Sequence, residues 1–240
     1  MVLAGVVLKL ATFGVVNLLL LMLWGGSTQA AVSGMVLSAF SLLMASTSLM
    51  QQVDIKSFVA LTSVAHIGNG TIGILSLSEE GVLGSLYMAL AHGVVSPALF
   101  LITGGVLYGA FSTRLVYAYR GLIAALPSVS TVLFILLLGN IAVPISPNWI
   151  AELMILAGLA VSSLALCLFS ALNILLGAVY TLWLTSRTVF GAWSLQLRSS
   201  GDLSFTDHFL SVILTSQALL LGLCAHRSIQ WLGASLWALI

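Results

Sequence analysis

The sequence predicts an all-α transmembrane bundle of about seven helices, and three observations support this. Charged residues make up 5% of the 240, against about 25% in an ordinary soluble domain. Hydrophobic residues make up 60%, and the mean hydropathy is +1.20. The apolar residues form continuous runs, whereas the strands of a membrane barrel would alternate apolar and polar positions. The net charge of +1 also argues against a nucleic-acid partner, which would require a basic face.

Apolar runs of the length needed to cross a bilayer, about 20 residues, recur along the chain. The tail over 228–240 is too short to cross and carries Trp231 and Trp237, which are typical of a membrane interface. We therefore expect a transmembrane domain over 1–227 and an interfacial tail over 228–240. The predicted spans are 2–24, 31–50, 57–77, 82–111, 122–160 (interrupted), 163–186 and 208–225.

The charges in the connections divide unevenly between the two sides of the membrane. Such a bias places the basic side in the cytoplasm or the mitochondrial matrix, and it agrees with an odd number of spans. The acidic side carries Glu79 and Glu80, together with Arg227 after the last span. The basic side carries Lys56, Arg114, Arg120, Arg187 and Arg198.

The fifth span contains a predicted helix break. Pro144 and Pro147 remove two backbone donors and clash with the preceding turn, and Asn148 follows directly. Because lipid cannot satisfy free backbone groups, the break should be buried in protein or line a hydrated cavity. Discontinuous helices of this kind position ion sites in transporters. A plain kink against a neighbouring helix is the alternative interpretation.

Four ionisable residues lie far from the ends of the predicted spans: Lys9, His66, His92 and Glu152. A charged group at this depth costs at least about 2.5–3.5 kcal/mol on insertion scales, so each should face protein or water. Small and hydroxyl residues at helical spacing give these positions polar faces, although such stripes also occur at plain helix–helix contacts. These neighbours include Thr62, Ser63 and Ser96.

Side chains of these types suit proton transfer rather than hydrolysis. Histidine titrates near neutral pH, and burial brings the proton affinities of lysine and carboxylate side chains toward the same range. Ligation of a b-type haem by the two histidines is an alternative. Cys167 and Cys224 have no metal-site or disulfide spacing, and we interpret both as small buried hydrophobes. No metal site is predicted.

Four blocks of sequence carry a family resemblance. They are Val7–Gly14; Asp54–Ser57 with Ala60–His66; Met88–Gly93 with Ser96; and Asn140–Pro144 with Pro147–Glu152. In order and spacing they resemble the subunit 4 family of respiratory NADH:ubiquinone oxidoreductase (complex I), and they cover most of the chain. That family's subunit is an antiporter-like proton pump of fourteen helices in two inverted halves. The resemblance runs from its eighth helix to its fourteenth, so 1–227 would be an antiporter-like half-domain.

The resemblance implies a role for each buried ionisable residue. Lys9 would link two half-channels, His66 and His92 would carry protons onward, and Glu152 would lead to the exit side. Supporting positions would be Thr62, Ser63, Ser96, Asp54 and Lys56. The sequence departs from the family at Thr12-Phe13, Ala65, Tyr108-Gly109-Ala110 and Ala151, which affects helix packing and loop contacts.

The implied function is proton translocation in the membrane arm of complex I, coupled to electron transfer from NADH to ubiquinone. This chain would hold no cofactor, and flavin, iron–sulfur clusters and quinone would belong to other subunits. Partners would be other membrane-arm subunits, lipids, and a separate chain carrying the N-terminal half of a split subunit. The expected location is the mitochondrial inner membrane, or alternatively a bacterial plasma membrane. A cation/proton antiporter subunit and a structural membrane-arm spacer are the alternative functions.

Overall fold

The computed structural model describes residues 2–23, 28–192 and 204–237, and it confirms the all-α class. In the described part of the chain the only β pairing is an isolated bridge between Asp54 and Leu115. The helices are α1 (Leu8–Leu23, after a π turn over Leu3–Val7), α2 (Thr28–Leu49), α3 (Ile55–Leu75), α4 (Glu79–Phe100), α5 (Tyr108–Phe111), α6 (Leu122–Ala125), α7 (Pro127–Asn140), α8 (Pro147–Ser162), α9 (Leu164–Thr188), α10 (Phe205–Leu223) and α11 (Ala225–Trp237).

Each predicted span corresponds to a helix, or to a broken helix, at the expected place. Five are long and apolar enough to cross a membrane individually: Gln29–Leu49, Ile55–Leu75, Glu79–Phe111, Leu164–Thr188 and Phe205–Leu223. The third of these stays continuous because a π segment, Leu101–Leu107, joins α4 to α5. Of the shorter apolar helices, Leu3–Asn17 begins the first span, while α7 and α8 form the interrupted one.

Local sequence explains where several helices begin. Asp54 caps α3, its Oδ1 accepting hydrogen bonds from the first-turn N–H groups of Lys56 at 2.9 Å and Ser57 at 3.2 Å. Pro127 and Pro147 stand at the starts of α7 and α8, where a missing N–H has no cost. The Asp54 cap and the two N-terminal prolines thus fix helix starts that hydropathy alone does not determine.

Backbone hydrogen bonds join three connections at one end of the bundle. The N–H of Ile55 donates to the Arg114 carbonyl at 2.9 Å, and the N–H of Ile123 donates to the Val189 carbonyl at 3.3 Å. We call this the basic end, because it collects the positively charged residues predicted to share one side. Those residues are Lys56, Arg114, Arg120 and Arg187; Arg198, predicted with them, lies outside the described residues.

Near the opposite end, glycines let α3, α4 and α8 approach closely. A Cβ on Gly158 of α8 would stand 2.5 Å from the backbone N of Gly81 on α4. A Cβ on Gly84 would stand 2.9 Å from the N of Ile155. We call Gly73 of α3, Gly81 and Gly84 of α4, and Gly158 of α8 the glycine seam. Small residues of this kind let membrane helices pack backbone to backbone.

The predicted break lies between Asn140 and Pro147, as the two prolines indicated. Ala142 and Ile145 adopt positive φ angles of 63° and 84°, which are uncommon outside glycine and rare for a β-branched residue such as Ile145. Gly222 of α10 contacts the break so closely that a Cβ would stand 1.9 Å from the Ile145 carbonyl oxygen. The expected burial holds only in part. Residues 143–145 are exposed, whereas Ala142 before them and residues 146–148 after them are buried.

The C-terminal tail is helical and follows α10 after a single residue, Cys224. Leu232 and Leu236 of α11 are buried, whereas Trp231 is 70% exposed. The side chain of Trp237 and residues 238–240 lie outside the described residues, so the interfacial position of the tail stays a prediction. The interpretation of Cys224 as a buried hydrophobe is wrong, because the turn between two helices leaves it exposed.

Candidate functional site

His66 and Glu152 form a buried pair in the middle of the bundle. The His66 Nδ1 atom lies 3.4 Å from Glu152 Oε1, and the two residues are only 8% and 6% exposed. α3 carries the histidine and α8 the carboxylate. The close approach of α8 to α4 at Gly84 brings Glu152 deep between the helices. Glu152, five residues after Pro147, is thus in direct contact with His66 of the third predicted span.

His92 of α4 contacts the histidine of this pair. Its imidazole ring lies against that of His66, with 4.8 Å between ring centroids and 40° between planes. The His92 Nε2 atom lies 3.1 Å from Ser63 Oγ, which in turn lies 3.1 Å from Ser96 Oγ. Ser63 therefore contacts the His92 ring directly, and Ser96 contacts Ser63. The supporting role of the two serines stays a prediction.

Lys9 of α1 is the fourth ionisable residue of this group. We call Lys9, His92, His66 and Glu152 the row. The helix approaches α4 where Gly5 meets Pro97 and Gly93, and a Cβ on Gly93 would stand 3.7 Å from the Lys9 Cε atom. Lys9 lines one cavity of about 10 Å³ together with His66 and His92. The Lys9 side chain therefore borders the same small space as the two imidazole rings.

Polar atoms around this cavity are left without hydrogen-bond partners in the described part of the structure. They are Lys9 Nζ, His66 Nε2 and His92 Nδ1. A cavity of about 10–15 Å³ is the smallest that holds a water molecule, and water usually satisfies such buried groups. The site therefore has the size and the polar lining for about one bridging water.

Three predicted supporting residues do not join the row. The Thr62 hydroxyl donates to the Val59 carbonyl of its own helix at 2.8 Å. Asp54 caps α3, and Lys56 lies ten residues before His66, which is about 15 Å along a helix. The Lys56 side chain instead lies beside Gly104 of the π segment. Asp54 and Lys56 thus belong to the basic end rather than to the site.

The break residues lie next to the site and carry a hydrogen bond across the gap. Asn148 is fully buried, and its Nδ2 donates to the Gly139 carbonyl at 3.2 Å, joining α8 to α7. Its Oδ1 has no partner in the described residues, nor does the Oδ1 of buried Asn140. The predicted break therefore presents amide oxygens to the interior.

Sequence reasoning missed a polar contact beyond His66. Asn69, one turn further along α3, accepts a hydrogen bond from the Ser170 hydroxyl of α9. Asn173, one turn after Ser170, is also buried. An asparagine within the apolar run of the sixth span was the available signal, because an amide is costly to bury without a partner.

The geometry argues against the haem alternative. The rings of His66 and His92 are in contact, and His66 Nδ1 faces a carboxylate. Axial ligation would require the two rings to stand on opposite faces of a porphyrin, with iron between them. Ring centroids 4.8 Å apart leave no room for a porphyrin between these two rings.

Comparison with known proteins identifies the family. Residues 1–177 match the family described as NADH:quinone oxidoreductase/Mrp antiporter, TM. The chain belongs to this family. Among its relatives, NADH-ubiquinone oxidoreductase chain 4 of Mycosarcoma maydis is 35% identical over 239 residues, covering 100% of this chain and 49% of the relative. The protein of the same name from Arabidopsis thaliana is 34% identical over 237 residues, covering 95% and 48%.

Two solved structures share the helical arrangement of this chain. A chain of respiratory complex I from Thermus thermophilus with bound NADH aligns with a TM-score of 0.78 and 26% identity, covering 88% of this chain and 45% of that one. A chain of the Mrp complex from Dietzia aligns with a TM-score of 0.83 over 94% and 50%; at 15% identity this shows the fold alone.

The comparisons also bear on extent and location. The chain spans about half the length of the curated relatives it matches. The fungal and plant relatives, together with the membrane-spanning helices, support the predicted location as a multi-pass protein of the mitochondrial inner membrane.

Proposed function

We propose that this chain is the C-terminal half of a membrane-arm subunit of complex I and takes part in proton translocation coupled to NADH:ubiquinone electron transfer. The observation that carries the proposal is the row of ionisable side chains formed by Lys9, His92, His66 and Glu152. The last three residues are buried, and so is the Nζ atom of half-buried Lys9. These residues come from four different helices, and their sequence positions span most of the chain. The names of the relatives support assigning the row to complex I.

The energetics favour function over packing. Insertion scales give at least about 2.5–3.5 kcal/mol for each charged group at mid-membrane. A chain that served only as a spacer could replace Lys9 or Glu152 with an apolar residue and avoid that cost. The structure instead places Lys9, His66 and His92 around one small cavity with room for about one water. Glu152 lies outside that cavity but only 3.4 Å from His66.

The row provides a sequence of short proton transfers. A water in the cavity would connect Lys9 Nζ with His92 Nδ1, both of which lack hydrogen-bond partners among the described residues. His92 contacts His66, and a proton on His66 Nδ1 faces the Glu152 carboxylate across 3.4 Å. Histidine exchanges protons readily near neutral pH, so it suits the two central positions.

The remaining parts of the proposal concern the assembly. This chain would be a non-redox subunit that binds none of the cofactors. The flavin, iron–sulfur clusters and quinone would be bound by other subunits. Its partners would be membrane-arm subunits, surrounding lipids and a separate chain corresponding to the other half of the relatives' length. Energy from the redox reaction would then reach the row through coupling between distant sites.

The decisive test is the proton-to-electron ratio of vesicles containing the assembled complex. Glu152→Gln and Lys9→Ala should sharply reduce proton uptake per NADH oxidised while the complex still assembles. Matched controls are Glu80→Gln, an exposed carboxylate at the start of α4, and Lys56→Ala, which changes the only other lysine in the chain. An unchanged ratio in both row variants would refute the assignment and favour the structural spacer.

The family also includes Mrp antiporters, so a cation/proton antiporter subunit is the second candidate. A native gel of gently solubilised membranes, stained for NADH oxidation, separates the two. The complex I assignment predicts this chain in the NADH-active band, together with a chain carrying the other half. Migration apart from that band, with sodium- or pH-dependent transport, would favour the antiporter.

A further inference from the structure

The basic end contains a second cavity, unrelated to the buried row. Its volume is about 140 Å³, and its lining includes the guanidinium-bearing residues Arg120 and Arg187. Trp183, Tyr117 and Gln52 line it as well. This volume is roughly ten times the smallest cavity that holds one water, about 10–15 Å³. A group as large as a phosphate therefore fits.

The walls of this cavity are fixed by backbone contacts between segments distant in sequence. The N–H of Val116 donates to the Val53 carbonyl at 2.9 Å. A Cβ on Gly191 would stand 3.3 Å from the Arg120 Cβ, so the chain after α9 passes directly beneath this arginine. The Arg187 guanidinium lies over the Trp183 ring, 4.4 Å from its centroid. The two arginines are thus held near each other.

The charge of the cavity is unbalanced. Among the described residues, no acidic side chain lines the cavity, and neither arginine has a carboxylate within ion-pairing distance. Asp54, the nearest acidic residue in sequence to the lining residues Gln52 and Val53, caps α3. Two guanidinium groups facing one space form the forked donor arrangement that matches phosphate oxygens.

The position of the cavity indicates how such an anion would be presented. Arginine, tyrosine and tryptophan together mark the level of the lipid headgroups, and basic pockets between transmembrane helices on the matrix side suit anionic headgroups. Arg114 lies at the same end without lining the cavity, and its guanidinium stacks over the Tyr108 ring at 5.1 Å. A basic residue at this end is therefore not necessarily part of the cavity.

We propose that the cavity formed by Arg120, Arg187 and Trp183 binds the phosphate of an anionic phospholipid headgroup in the leaflet at the basic end. Both guanidinium groups would contact phosphate oxygens, and Trp183 and Tyr117 would pack against the glycerol region. The site is independent of the proton row, so its test does not depend on translocation.

The test is a lipid titration of the purified 240-residue chain in a nonionic detergent, followed by native mass spectrometry. Phosphatidylglycerol is the probe, and phosphatidylcholine is the neutral comparison. Arg120→Gln and Arg187→Gln should each raise the Kd of the first bound phosphatidylglycerol about fivefold, and the double variant about 25-fold. Arg114→Gln should stay within about twofold. Arg120→Lys, which keeps the charge but loses the fork, should lie between wild type and Arg120→Gln.

Three outcomes would overturn the proposal. Equal weakening by Arg114→Gln would mean a general surface-charge effect. Phosphatidylcholine binding as tightly as phosphatidylglycerol would remove the role of net charge. Inorganic phosphate binding without lipid, with the same dependence on Arg120 and Arg187, would make soluble phosphate the ligand. Circular dichroism of each variant establishes that the helices are intact.

Discussion

Replacing Gly158 with alanine tests whether the glycine seam sets the position of α8. The new Cβ would stand 2.5 Å from the Gly81 backbone N and 2.6 Å from its Cα. Since an ordinary contact begins at 3.4 Å, α8 must move by about 0.9 Å. The obstacle is backbone on α4, which cannot rotate away as a side chain could.

The size of the effect follows from two opposing terms. Alanine favours a helix over glycine by up to about 1 kcal/mol, whereas overpacking a filled contact costs about 1–3 kcal/mol. Gly14 of α1 is the matched control, because no atom lies within 4 Å of its Cβ position and only the first term applies. The free energy of unfolding should therefore be about 1–3 kcal/mol lower for Gly158→Ala than for Gly14→Ala. This corresponds to a Tm difference on the order of 5 °C.

Two measurements check this expectation. Thermal unfolding of the purified chain in detergent gives the Tm of each variant. Proton uptake by the assembled complex reports the site, because Glu152 lies six residues before Gly158 on the same helix. A shift of α8 by about 0.9 Å would lengthen the 3.4 Å contact with His66. Equal Tm values and equal uptake in the two variants would show that the seam does not determine the position of Glu152.

The other predictions concern the basic end and the core. Asp54→Ala should lower the free energy of unfolding by about 1 kcal/mol, because two first-turn N–H groups of α3 lose their acceptor. Asp54→Asn keeps an acceptor oxygen and should therefore retain most of the stability that the cap contributes. Burial, and then the Asp54 carboxylate, raise the pKa of Tyr119 to about 12 from 10.0. The folded state then holds this proton more tightly than the unfolded state, so stability should fall as pH rises from about 10 to 12. The Tm of Tyr119→Phe should fall less steeply over that range than the Tm of the wild type. Parallel curves of Tm against pH for the two proteins would contradict the assignment of this pH dependence to Tyr119. Leu133→Ala, at a fully buried position of α7, should cost about 2–5 kcal/mol, while Ile135→Ala, at a position 44% exposed on the same helix, should cost far less.

Much of the fold could be predicted because bilayer thickness imposes a length that hydropathy reports directly. The break between α7 and α8 was predictable as well, because Pro144 and Pro147 cannot continue a helix. The π segment over Leu101–Leu107 was not, since its hydrogen-bond pattern leaves no mark on an apolar run. The exposure of Cys224 also depended on a helix boundary that hydropathy does not fix.

For the site, the identities of the residues were predictable and their partners were not. A buried lysine, histidine or glutamate is rare enough in a membrane span to stand out, so Lys9 and Glu152 could be named in advance. The separation of Asp54 from this group depends on its role as a helix cap. The contact between Asn69 and Ser170 joins residues 101 positions apart, and a single sequence contains no information about that pairing.

The π segment between α4 and α5 has a consequence for changes in chain length. A π turn carries one residue more than an α turn spanning the same rise. Deleting one residue between Leu101 and Leu107 could therefore restore α-helical winding and leave His92 and the loop at Arg114 facing their present directions. The same deletion in the regular part of α4 would turn everything beyond it by about 100°. Among sequences of this family, single-residue gains and losses in this helix should therefore concentrate in the π segment.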